Sequence, residues 1–150
     1  MSATASRAAQ NERVVAFSKL WWVGLVAGVG ATIANFIFYL VTKSMFGIPY
    51  IIPLGGPSGP LGPLPAAAII IFNFVPTIGA TILLVVLGKF LSRPFRVFWI
   101  ISGVVFLLSF ILPLTLPSGV ATSTKIGLSL MHIIAWPVIV GVLTKLGREK

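Results

Sequence analysis

Four long apolar runs without an internal charge decide what this chain can fold into. They are Leu20 to Val41, Ala66 to Leu87, Val97 to Leu114 and Ile126 to Leu143. A helix rises 1.5 Å per residue and a bilayer's hydrocarbon core is about 30 Å thick, so about 20 apolar residues suffice to cross it. Only 9% of the 150 residues are charged, where a soluble domain carries about 25%. The charges fall between and beyond the runs. The expected fold is all-α, an integral membrane four-helix transmembrane bundle with spans at about 20–41, 66–87, 97–114 and 126–143. Residues 1–18 and 147–150 read as tails, and 19–146 as the transmembrane domain. The basic front of the first run resembles a signal peptide, but its apolar stretch outruns a signal core of about 7–15 residues.

The charges also set an orientation. An even number of spans puts both termini on one side. That side then holds Arg7, Arg13, Lys19, Lys89, Arg93, Arg96, Lys145, Arg148 and Lys150, and the other only Lys43 and Lys125. Positive residues are retained in the cytoplasm, so both termini are expected there. Trp21, Trp22 and Trp99 then lie near the cytoplasmic interface, and Tyr39 and Tyr50 toward the outer one. The formal net charge of +9 flanks the spans without forming a continuous patch. It therefore points to anionic lipid headgroups and not to nucleic acid.

The loop between the first two spans, 44–65, holds six of the eleven prolines. It includes three Gly-Pro-X triplets from Gly56 to Leu64, too few for a collagen triple helix. Proline and the residue before it favour extended backbone, so polyproline II is expected. "MFGIPYIIPL" (45–54) is too apolar for a solvated linker. Such backbone cannot face lipid unprotected. The loop, with Pro53, Pro57, Pro60 and Pro63, is therefore expected to lie across the helix ends or dock on a partner.

Chemistry-bearing residues are few. The only acids are Glu12 and Glu149, and there is no cysteine. Paired-carboxylate catalysis, thiol chemistry and disulfides are thereby removed, and no enzymatic activity is expected. One polar residue per span remains at a common depth, about 8–11 Å below the outer boundary at helical rise. These are Asn35, Asn73, Ser109 and His132. The same faces carry small or polar residues at steps of three and four, among them Gly24 and Gly28, which let helices approach closely. The layer reads as a structural hydrogen-bond network, or as the site of a small-molecule carrier or channel. A further alternative makes His132 an axial ligand to haem or a chlorophyll-type pigment with Trp136 packed on the ring. No metal site and no other cofactor is expected. Pro76, Pro113 and Pro137 each remove an intrahelical bond and are expected to kink or end a span.

The order of "ATIANFIFY", a Pro/Gly-rich outer loop, "SRPFRVFWIISGVVFLLSF" and "MHIIAWPVIVGVL" resembles a family of small four-span bacterial membrane proteins defined only as a domain of unknown function. The resemblance covers roughly residues 18–146, and the long collagen-like loop departs from the pattern. It implies a bacterial cytoplasmic (inner) membrane and brings no activity. The expected role is non-enzymatic. The chain reads as a structural or accessory subunit of a larger membrane complex, partnered by lipid and by other proteins or copies of itself.

Overall fold

A computed structural model describes residues 15–149 of the chain. It is an antiparallel bundle of four membrane-spanning helices with a small β-hairpin at one end. Helix α1 runs Phe17–Phe46, strands β1 and β2 are Ile51–Pro53 and Leu61–Pro63, and α2 is Ala66–Phe90. The third span is divided into α3 (Pro94–Ser109) and a single turn, α4 (Ile111–Leu114), and α5 is Thr122–Leu146. The spans are 30, 25, 21 and 25 residues long, counting α3 and α4 together. Each thus extends beyond the limits set by apolar runs alone, because helices continue into the interfacial layer until a cap or proline stops them.

The stops are legible in the backbone. Gly47 takes a left-handed conformation (φ 62°) at the end of α1, and the amides of Gly47 and Ile48 both turn back to the Thr42 carbonyl. That is the glycine-dependent helix end in which a residue with a Cβ is disfavoured. Pro94 opens α3 in the first turn, where a missing N–H costs nothing. Pro113 has no N–H to offer the Ser109 carbonyl, and the helix breaks there, between α3 and α4. Pro76 and Pro137 lie inside continuous helices.

Neighbours around the bundle run α1, α2, α3, α5 and back to α1. The main core lies toward the terminal end. Val23, Ala27 and Ala31 of α1 meet Leu84 and Leu87 of α2, Phe95 and Phe98 of α3, and Ile139, Val140 and Leu143 of α5. Gly24 and Gly28 are buried against α2. A Cβ on Gly24 would stand 2.6 Å from Thr81 Oγ1, and one on Gly28 3.0 Å from the Phe74 ring. Along α3 and α5, Trp136 donates Nε1–H to the Ser102 carbonyl (3.1 Å), stacks on Phe106 and meets Trp99 edge-on.

Two expectations at the chain ends change. The segment before α1 is not tail throughout, because Val15 and Ala16 are buried and pair with the C-terminal segment. The Ala16 amide donates to the Gly147 carbonyl (2.9 Å), and Val15 and Arg148 form an antiparallel bridge. Both ends of the described chain therefore meet at the terminal end, as four spans require. The rest of the expected N-terminal tail, 1–14, and Lys150 lie outside the described residues.

The Pro/Gly loop also departs from expectation. Its extended segments are not a polyproline run but pair antiparallel, in the register Ile51 to Pro63, Ile52 to Gly62 and Pro53 to Leu61. The Leu64 amide bonds to the Tyr50 carbonyl and the Leu54 amide to that of Pro60. In an antiparallel ladder, bonded and non-bonded pairs alternate. Pro53 and Pro63 therefore occupy non-bonded pairs, where proline's missing N–H is not needed. Gly55 (φ 79°) and Gly56 (φ 137°) turn the tip. Proline spacing that looked collagen-like thus specifies a hairpin.

Candidate functional site

The hairpin's base is tied to the helices around Tyr50. Tyr50 is fully buried with φ +47°, a conformation that costs a non-glycine residue about 1 kcal/mol or more. Its ring lies 4.9 Å from that of Tyr39, and its hydroxyl is 2.7 Å from Thr42 Oγ1. Thr42 already donates to the Phe38 carbonyl (2.7 Å), so Tyr50 is the donor in that pair. The phenol rests on the face of α5 at Gly127, where a Cβ would come within 2.7 Å of the oxygen. Leu64, Ile69 and Met131 close the cluster. Tyr39 and Tyr50, expected at the interface, are instead packed inside.

Burial raises the Tyr50 pKa above its ordinary 10.0, and the Thr42 hydroxyl opposes this to a smaller extent. The raised folded-state value favours the neutral phenol. Its contribution is complete below pH about 10 and lost as pH rises through the shifted value. Protease access to the hairpin should therefore increase in strongly alkaline buffer. In Tyr50→Phe that increase should be absent, and an unchanged rise would exclude Tyr50 as its source.

Beneath the hairpin lies a cavity of about 1010 Å³, and all four residues of the expected polar layer line it. Asn35 comes from α1, Asn73 from α2, Ser109 from the end of α3 and His132 from α5. The strand β1 and hairpin tip (52–57) contribute to the lining, as do Leu112 and Pro113 of α4. Phe72 and Pro76 on one rim and Leu108 and Leu112 on the other are exposed. The cavity therefore opens between α2 and the broken third span, on a face that meets hydrocarbon. The short connection after Phe90 holds α2 and α3 together at the terminal end, and the break before Pro113 lets the third span diverge at the other.

The four residues are brought together, but only two are joined. Asn35 donates from Nδ2 to Asn73 Oδ1 (2.9 Å), and Asn73 donates from Nδ2 to the Ile69 carbonyl (2.7 Å). The second bond fixes the Asn73 amide, because turning it would set two oxygens together. Asn35 must then present Nδ2, and its Oδ1 is left buried without a donor. Ser109 donates back to the Phe106 carbonyl (2.6 Å) and bonds to no neighbouring helix. The His132 ring lies 6.2 Å from that of Phe110. Among the described residues no hydrogen bond joins Ser109 or His132 to the asparagine pair, so a continuous network is not formed. Trp136 faces the α3–α5 seam and is not part of the cavity lining.

A double-mutant cycle on Asn35 and Asn73 tests the pair. Coupling of about 0.6 kcal/mol is expected, the average for hydrogen bonds between helices in lipid, with about 1.7 as an upper bound. Zero coupling in a reversible unfolding assay would mean that the amides do not bond.

Sequence reasoning missed the hairpin's contribution to this site. Tyr50 and Gly127 carry no motif. The available signal was the apolar "MFGIPYIIPL", which needed a place to be buried.

Four apolar spans around an intramembrane cleft define a multi-pass helical membrane protein. The chain belongs to DUF6069, a family of unknown function, whose family model matches residues 15–149. No curated protein and no solved structure matches it.

Proposed function

We propose that this is a non-enzymatic membrane protein that binds a small molecule, taken up sideways from the bilayer, in the cavity beneath the hairpin. One observation carries this reading. Polar residues from all four spans converge on a largely apolar volume of about 1010 Å³, the size and composition of a ligand site. Carboxylates occur only at Glu12 and Glu149, which supports binding or transfer over catalysis. The excess of basic residues at the terminal end favours cytoplasmic termini, with the hairpin and cavity in the opposite leaflet. In an accessory subunit, the second reading, the apolar hairpin would be a docking surface. The packing of its base against Tyr39, Ile69 and Met131 favours a cap over a free docking loop.

Native mass spectrometry of protein extracted in mild detergent tests the proposal. The wild type should retain a discrete small molecule. Ala135→Phe and Ala68→Phe, placed at two separate points of the lining, should lose it while remaining monodisperse. If all three proteins carry the same lipids in the same amounts, the cavity is not a binding site.

A further inference from the structure

We infer that the ligand is a membrane lipid with an anionic head, held by Lys125 at the cavity mouth with its tail in the cavity. The inference rests on the cavity being a binding site. Three features lead there.

The first is where α5 puts Lys125. Leu128, His132 and Ala135 line the cavity. They follow Lys125 by three, seven and ten residues, so all four share one face of the helix. Lys125 lies in the first turn of α5, at the hairpin end of that stripe. From Lys125 to Ala135 the stripe descends about 15 Å at helical rise. A linear chain laid along it runs from the edge of the bilayer into the apolar volume.

The second is where the side chain goes. Lys125 is half-buried, and its ammonium donates to the Leu116 carbonyl. Thr115, Leu116 and Pro117 all line the cavity. The cation is thus held beside the segment that forms the mouth. Among the described residues this is its one hydrogen bond, and an ammonium has three donors.

The third is charge. Residues 17–146 contain no carboxylate, so no span or connecting loop neutralises Lys125. A half-buried cation without a counter-ion is disfavoured, and a carboxylate or phosphate head would meet it with charge-assisted hydrogen bonds. Lys43, the other cation at this end, is engaged elsewhere. Its ammonium lies over the Tyr39 ring, donates to the Tyr39 hydroxyl and does not line the cavity. Deeper down, no Lys or Arg lines the walls. The head therefore belongs at the mouth and the apolar tail below it. A lipid of this kind resides in the leaflet onto which the cavity opens.

The test compares hexadecyl phosphate, hexadecanol and hexadecyltrimethylammonium, each as a radiolabelled probe on protein in neutral lipid nanodiscs, with protein-free discs subtracted. The wild type should bind the phosphate at least about tenfold tighter than the alcohol, equivalent to about 1.4 kcal/mol, and the ammonium most weakly. Lys125→Gln should bind phosphate and alcohol equally, whereas Lys125→Arg and Lys43→Gln should keep the preference. Should Lys125→Gln misfold, the wild-type ratio and Lys43→Gln decide. Equal binding of the three probes to the wild type would overturn the anionic head. A preference unchanged in Lys125→Gln, or lost in Lys43→Gln, would overturn the assignment to Lys125. In each case the cavity reading stands if Ala135→Phe still abolishes binding. A phosphate preference that survives Ala135→Phe would put the lipid on the outer surface and overturn the seating of its tail. Failure of every probe to bind would overturn the inference. If wild type and Ala135→Phe then also retain the same lipids on extraction, the binding site itself is refuted.

Discussion

Gly24→Leu is expected to prevent α1 from seating against α2, with a loss of about 3 kcal/mol or more, the upper end of what overpacking costs. The reason is local and geometric. A Cβ at position 24 would stand 2.6 Å from Thr81 Oγ1 and 3.3 Å from its methyl group. Thr81 is held by its own bond to the Thr77 carbonyl (2.8 Å), so it cannot turn away without losing that bond. A leucine adds three further carbons to the same space, and the helices must separate along the seam that Ala27 and Ala31 continue. Gly79 provides the control. It lies on the exposed side of α2, and a Cβ there meets nothing within 4 Å. Gly79→Leu should therefore match the wild type in a detergent unfolding titration. Equal midpoints for Gly24→Leu and Gly79→Leu would show that α1 and α2 do not pack as described.

Tyr50→Ala should release the hairpin. The side chain is fully buried, and removing a buried aromatic ring costs about 3–5 kcal/mol. With the ring go the bond to Thr42 and the contact with Tyr39. Limited proteolysis reads the result directly. The wild-type chain should resist cleavage between Gly55 and Gly62, and Tyr50→Ala should be cut there readily. Gly127→Ala reaches the same end from the other side, because its methyl group takes the space of the Tyr50 hydroxyl. The two substitutions act on one contact, so the double variant should be little worse than Tyr50→Ala alone. Full additivity, or a wild-type hairpin cut as readily as the variants, would mean that Tyr50 does not hold the cap.

What could be read from the sequence followed the strength of the physical constraint. Span number and type were legible, because lipid tolerates little besides an apolar helix. A fixed rise per residue gave Asn35, Asn73, Ser109 and His132 a common expected depth, and the fold brings all four to the lining of one cavity. The spacing could not say which of them bond. That depends on separations across the bundle, which spacing along each helix does not give. The hairpin was misread because local proline preference agrees with both polyproline II and extended strand. Pairing across the Gly55–Gly56 turn decided between them. Tyr50 was invisible as a latch, because its partners Thr42 and Gly127 lie on two different spans.

The pairing of residues 15–16 with 147–148 makes the four spans a closed circuit, so their order in the gene is one of several that preserve the same neighbours. A circular permutant with residue 150 joined to residue 1, and new ends opened at Ser118 in the exposed segment between α4 and α5, would keep every helix-to-helix seam. It would begin with the span that now comes last, entering from the opposite face. Such a chain separates two instructions that are superimposed in the natural order. Its basic clusters ask for one orientation, and its first span, emerging from the ribosome, meets the insertion machinery the other way round.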